Sequence, residues 1–152
     1  AQLVGQFERL RPHAGKSRRE QHGAAHHFKC ILTLGDDDGR RIRAELDARG
    51  IDLSHLAIGA APTATATILL DATGDRIVLW HRDPALKYPS DRLPVDVIAT
   101  ARVLHVDDVD VPAAIEAARV ARAHGVPVTC DIDHVTPGTR ELLQLVSHPV
   151  FA

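Results

Sequence analysis

The chain has 152 residues, 45% of them hydrophobic, which is enough for one domain with a buried core. Its formal net charge is -2, so it carries no cationic excess to hold a phosphate backbone or an anionic membrane, and nucleic acid is not expected as a partner. Cys30 and Cys130 form no Cys-x-x-Cys pair, which argues against a zinc knuckle or a disulfide scaffold and fits a reducing cytoplasm. No apolar run approaches the roughly 20 residues of a membrane span, and no secretion signal opens the chain, so a soluble protein with no membrane partner is expected. The first residue is Ala1 and the last are Phe151 and Ala152, which gives the expectation of a chain cut at both ends.

Residues 1–27 are rich in Arg and His (Arg9, Arg11, Arg18, Arg19, His13, His22, His26, His27) and show no sustained period, so no element is assigned and the segment stands apart from 28–152. Phe28 to Leu34 is a short apolar run stopped by Gly35 and three aspartates, as expected for a buried strand ending in a turn. Ile42 and Leu46, with Ala44 and Ala48 nearby, mark a short amphipathic helix on which Arg41 can pair with Glu45. Arg49 and Gly50 end it with a cationic last turn and a left-handed stop.

From Thr63 the period becomes two, predicting a half-exposed strand to Leu70. Asp71 to Asp75 then turns the chain and Arg76 to Arg82 returns, so a hairpin spans about 63–82. After Asp83-Pro84 and a connection containing Pro89 and Pro94, the order becomes strand, helix, strand, helix, the pattern of a parallel sheet with crossover helices. Val103 to Val106 is the first of these strands. A helix opened by Asp110 and Pro112 buries Ile115, Ala118 and Ala121 and closes at Gly125. Val126 to Cys130 is the next strand, and a last helix capped by Thr136 buries Leu142, Leu143 and Val146, ending where another strand should begin.

Ligands of open parallel α/β sheets bind beyond the carboxyl ends of the strands. Three acidic clusters follow such ends here: Gly35 to Asp38 after Leu34, Asp107 and Asp108 after Val106, and Asp131 with Asp133 after Cys130. Carboxylates there can accept hydrogen bonds from sugar hydroxyls or hold magnesium through water. The plainer reading is that Asp38 or Asp110 caps a helix and the rest are solvated turn residues. His22 and His26 stand four apart, but Gly23 takes the place where a zinc-protease helix carries its glutamate, so no metal site is assigned. His81 reads as a strand-surface residue and His105 as a hydrogen-bonded one. Trp80, the sole tryptophan, either stacks on a sugar or packs the hairpin on the body.

The string Leu34-Gly35-Asp36-Asp37-Asp38-Gly39-Arg40, followed by Gly50-Ile51-Asp52, resembles the G-D-D-x-x-G loop, helix and strand start of the ribokinase-like (PfkB-type) carbohydrate kinases. The stretches 63–71, 74–76 and 80–86 resemble that family's small β-sheet lid. Residues 117–128 followed by Asp131 resemble its central helix and a strand ending in Asp. The resemblance runs from about Phe28 to Leu145. It implies a partial doubly wound α/β sheet with a β-strand lid, ATP and Mg²⁺ as cofactors, a small-molecule sugar as partner, and phosphate transfer from ATP to a hydroxyl group. It also implies that Gly35, Asp36, Asp107, Asp108 and Asp131 line the sugar site and that the lid can form a homodimer surface.

The family's late Gly-Ala-Gly-Asp string, bearing base and anion hole, does not occur in this sequence, nor does its Asn-x-x-Glu segment. The Gly35 to Gly39 loop is one residue short of the family pattern, and His22 to His27 offers at most a trace of its Gly-Gly loop. The sequence therefore predicts a sugar-kinase fragment with no catalytic residue of its own, inactive as it stands. The alternative is a non-catalytic sugar-binding or lid-pairing module. A Rossmann-type domain is disfavoured because no G-x-G-x-x-G follows a strand.

Overall fold

In a computed structural model of the chain, the structure describes residues 3–7 and 27–151. The sequence readings that fall on His22, His26 and the other residues of 8–26 lie outside the described residues.

Among the described residues, eight strands form two sheets. β1 (Leu3–Phe7), β2 (His27–Gly35), β3 (Asp52–Gly59), β6 (Val103–Asp107), β7 (Val128–Ile132) and β8 (His148–Phe151) make a six-stranded sheet in the order β3-β2-β1-β6-β7-β8, and β4 (Thr65–Leu70) pairs only with β5 (Arg76–His81). β2 and β3 are parallel, as are β6, β7 and β8. β1 runs antiparallel to both β2 and β6, which makes those two parallel to each other. Thus β3, β2, β6, β7 and β8 all point their carboxyl ends to one rim. The sheet is mixed rather than wholly parallel because β1 fills the gap between β2 and β6, satisfying the facing backbone groups of both.

The helices are α1 (Asp36–Ala48), α2 (Val95–Ala99), α3 (Val111–Ala123) and α4 (Thr139–Leu145). Successive residues of β2 feed different cores. Ile31 joins Leu104, Val106, Val128, Cys130 and the buried face of α3, whereas Cys30 and Leu32 join Leu56 and Leu46 of α1. Because neighbours along a strand point to opposite faces, α1 covers one side of the sheet and α3 the other, as a doubly wound fold requires. The period-two pattern explains the larger core: Leu104 and Val106 of β6, and Val128, Cys130 and Ile132 of β7, are buried on alternate positions. Ala113, Ala114, Ala117, Ala118 and Ala121 of α3 let the helix lie close to the sheet.

Several local expectations are altered. α1 ends at the left-handed Gly50 as anticipated (φ 74°), but Arg41 pairs with Asp38, and Glu45 pairs with Arg49. Ile42 stays exposed while Leu46 packs. α4 begins at Thr139 rather than directly after Thr136, and the Thr136 N–H holds the turn before it by donating to the Thr139 hydroxyl. The Pro-containing connection holds two 3₁₀ turns, Pro84–Leu86 and Ser90–Arg92, and the helix α2. Strand β8 forms where the sequence led another strand to be expected. The β4–β5 hairpin is exposed on both faces rather than half-exposed, because among the described residues it pairs only with itself and forms a single layer. No helix among the described residues is long and apolar enough to cross a membrane.

Candidate functional site

The common rim carries the residues expected to meet a ligand. Gly35 closes β2, Asp107 closes β6, and Asp131 lies next to last in β7, paired with Asp107 in strand register. The structure therefore brings Asp107 and Asp131 side by side, while Gly35 and Asp36 stand across the β1 position from them. Asp107 Oδ1 accepts the Val109 N–H at 3.1 Å, and the Asp131 side chain is exposed.

Asp108 has a different task. Its carboxylate is buried and its Oδ2 accepts the backbone N–H groups of Asp133 (2.9 Å) and His134 (2.6 Å), so it fixes the loop that leaves β7. Nor does Asp110 spend its side chain on capping α3. Its two oxygens take both Nη atoms of Arg82 at 2.8 Å, and Oδ2 also accepts the Tyr88 N–H at 2.9 Å. Both partners are almost wholly buried, at 7% and 4% side-chain exposure. Such a pair is tolerable only with a bidentate fork and further hydrogen bonds, which Tyr88 and the Leu86 carbonyl supply.

At the opposite wall, Gly35 is hemmed in by backbone: a Cβ there would lie 1.8 Å from the Ala61 carbonyl oxygen. That close approach lets the Thr63 hydroxyl accept the Gly35 N–H at 2.9 Å and donate to the Gly35 carbonyl. The next residue, Asp36, is half-buried and holds φ at 40°, a conformation L residues rarely adopt. Burial pushes its carboxyl upward, but the N–H groups of Thr63, Gly39 and Asp38 together hold it below the ordinary aspartate value. Asp36 is thus an ionised acceptor at the amino end of α1, where the helix dipole also favours negative charge.

Sequence reading treated Thr63 and Arg82 only as the ends of a hairpin, and Asp110 only as a helix cap. The available signal was the place of Thr63 and Arg82 at the two ends of the hairpin and of Asp110 at a helix start. Nothing in the one-dimensional pattern pairs them with Gly35 or with each other's neighbours. His105 behaves as expected, its Nδ1 lying 2.9 Å from the Thr129 hydroxyl. Trp80 is 54% exposed, so it does not pack the hairpin on the body.

The acidic residues thus stand at the strand ends of one rim, and the β4–β5 hairpin is rooted there, at Thr63 beside Gly35 and at Arg82 beside Asp110. A scan against protein families matches the description "pfkB family carbohydrate kinase" over residues 21–151. The chain belongs to this family. Among solved structures it is similar to a candidate ribokinase from Agrobacterium tumefaciens (23% identity, TM-score 0.69, covering 99% of this chain and 56% of that one). It is likewise similar to a fructokinase from Xylella fastidiosa (19% identity, TM-score 0.67, covering 97% and 56%). A microbiome-derived acarbose kinase gives 19% identity and a TM-score of 0.64, covering 98% and 58%. The chain therefore spans just over half the length of these relatives, and at such identities the likeness establishes the fold. A search of curated proteins found no match.

A further structure of the Xylella fastidiosa fructokinase is described with ATP bound. Among the described residues no three His, Cys, Asp or Glu side chains converge as a metal site would need. A groove of about 430 Å³ between α1 and β3, lined by Arg40, Arg43, Asp47, Leu53 and Ser54, lies at the far end of these strands from the acidic rim.

Proposed function

We propose that the chain supplies the sugar-facing part of an ATP-dependent carbohydrate kinase that moves the γ-phosphate to a sugar hydroxyl, and that these 152 residues alone do not transfer phosphate. The observation that carries the reading is the alignment of Gly35–Asp36, Asp107 and Asp131 along one strand-end rim, with the β4–β5 hairpin rooted beside it at Thr63 and Arg82. On this reading Asp36 accepts hydrogen bonds from sugar hydroxyls, with Asp107 and Asp131 facing it across the rim, and Asp108 shapes the β7 loop behind them. Inactivity follows from the missing Gly-Ala-Gly-Asp string, since phosphoryl transfer rests on a base and on amides that stabilise the moving charge. Two free, buried cysteines fit a cytoplasmic setting.

Calorimetric titration with a panel of hexoses, pentoses and oligosaccharides tests the sugar site: binding of at least one sugar, weakened about tenfold or more in Asp36→Asn, is expected from loss of a charged acceptor. Absence of binding across the panel overturns the sugar-site reading. ADP release above the protein-free rate with ATP and Mg²⁺ overturns the claim of inactivity.

A second reading, that the hairpin pairs with another copy of the chain, is favoured by one observation. Ile68, Leu69, Leu70, Ile77, Val78, Leu79 and Trp80 are all exposed on an unpaired two-stranded sheet. Apolar area on both faces and free strand edges suit a partner sheet. Sedimentation equilibrium decides it: a dimer that dissociates in Ile68→Lys/Leu79→Lys supports pairing, and a monomer at all concentrations removes it.

A further inference from the structure

Asp36 is the one non-glycine residue with a positive φ among the described residues. It stands at the start of α1, where no local rule calls for a left-handed residue, and such strain persists only where neighbours over-determine it. The neighbour here is Thr63. It is buried, and its one hydroxyl serves both backbone groups of Gly35, accepting the N–H at 2.9 Å and donating to the carbonyl. The Thr63 N–H in turn reaches the Asp36 carboxylate. Both glycines of the loop make room for this contact. A Cβ on Gly35 would meet the Ala61 carbonyl oxygen, and one on Gly39 would lie 2.8 Å from the Thr63 hydroxyl oxygen.

The carbonyl of Gly35 and the N–H of Asp36 belong to one rigid peptide plane. Fixing the carbonyl fixes the plane, and the plane sets φ of Asp36. Turned over, the same plane would carry Asp36 into the ordinary extended region and ask of Gly35 only a conformation that glycine adopts freely. What stands against that turn is the bond from the Thr63 hydroxyl to the Gly35 carbonyl. A tie that merely joined residues 61–63 to the end of β2 would need the Gly35 N–H alone, and would leave Asp36 unstrained.

We propose that Thr63 is a positioning residue for the rim: its hydroxyl latches the Gly35–Asp36 peptide in the orientation that holds Asp36 at φ 40° and its carboxylate in place to meet a ligand. What the carboxylate meets rests on the sugar-site reading; the latch itself does not.

The test compares Thr63→Val, which keeps the shape and removes the hydroxyl, with Thr63→Ser, which keeps the hydroxyl. Nuclear magnetic resonance of the intact chain reports φ of Asp36 through its N–H to Hα coupling and Overhauser effect, and carbon detection follows its carboxyl titration. In the wild type that carboxyl, despite burial, should titrate below the ordinary aspartate value because of its N–H donors. In Thr63→Val the left-handed signature should disappear and the titration should move up toward the ordinary value. Affinity for a sugar that binds the wild type should fall roughly tenfold, the weight of one charged hydrogen bond. Thr63→Ser should restore all three. A merely structural Thr63 would lower the urea midpoint and leave the Asp36 coupling and titration as they are; that result in a folded Thr63→Val overturns the proposal. If Thr63→Val does not fold, Asp36→Gly and Asp36→Ala decide. Held strain requires the glycine variant to unfold at the higher urea concentration, the reverse of the helix ranking, and an equal or lower midpoint overturns it. The resonance readouts need no sugar, so a panel without a binder removes the sugar-site reading alone, and the latch stands or falls on Asp36.

Discussion

Replacing Gly35 with alanine adds one methyl group at the point where two chain segments touch. Gly35 has φ -117° and ψ 167°, an extended conformation open to any residue, so the cost is purely one of space. The new Cβ would sit 1.8 Å from the Ala61 oxygen and 2.9 Å from the Ala61 and Pro62 carbonyl carbons, all backbone atoms that cannot rotate aside. The 61–63 segment must lift, and with it the Thr63 hydroxyl leaves the Gly35 N–H and carbonyl. Overpacking of this kind costs about 1–3 kcal/mol, and two hydrogen bonds contribute about 1 kcal/mol each. The expected loss is therefore about 3–5 kcal/mol, a large share of the roughly 5–15 kcal/mol that holds a domain together. Urea denaturation followed by far-UV circular dichroism measures it. Gly74→Ala is the control: it has nothing within 4 Å of its Cβ and φ 92°, so it tests conformational strain without crowding. A Gly35→Ala midpoint equal to wild type, or to Gly74→Ala, would refute the close-approach argument.

Leu104→Ala removes a fully buried side chain from the α3 core and should cost about 2–5 kcal/mol in the same urea assay; a loss below about 1 kcal/mol would mean the β6 core position is misjudged. Burial, then the charges of Asp108, Asp107 and Asp131, push the Cys130 thiol up to about 12, and burial raises Cys30 too. Neither cysteine should react with a disulfide reagent at neutral pH until the chain is unfolded, and rapid native-state labelling would contradict that. The Lys29 ammonium, followed by the Ser54 N–H and hydroxyl, holds Asp52 far below the usual carboxylate range. A folded-state value so depressed stabilises above the unfolded value of about 4 and is lost as pH falls through the folded one. Because the pair is partly exposed, its worth is at most about 1 kcal/mol. The stability gap between wild type and Lys29→Met should be flat above about pH 4 and shrink below it; a gap constant down to acid unfolding contradicts the assignment.

The parallel order of β2, β6 and β7 was legible because apolar runs ended by Gly or Asp and separated by helical spacing leave few alternatives. The runs 103–106 and 126–130 were legible as strands, and in the structure alternate positions of Val103–Asp107 and Val128–Ile132 are buried. The hairpin was legible for the same reason, through the Asp71 to Asp75 turn. What alternation cannot reveal is whether a second layer exists to cover either face of β4–β5, and none does among the described residues. Of the acidic residues, position at a strand end was readable, but allegiance was not. Asp107, Asp108 and Asp110 lie within four residues, yet one faces the rim, one braces the β7 loop and one is locked to Arg82. Those partners are 22 to 28 residues away in the chain, so only three-dimensional folding sorts them. β1 belongs to a stretch without periodicity, and its antiparallel direction had no local signal.

β2 is a wall shared by two rooms. Slipping it by one residue relative to its neighbours would turn Lys29, Ile31 and Thr33 toward the α1 side and Cys30 and Leu32 toward the α3 side, so both cores would be wrong at once. It would also carry Gly35 out from beneath Ala61 and set a side chain there. Alternative registers are thus rejected threefold by a strand of nine residues, and pairing errors during folding should be rarest at this strand.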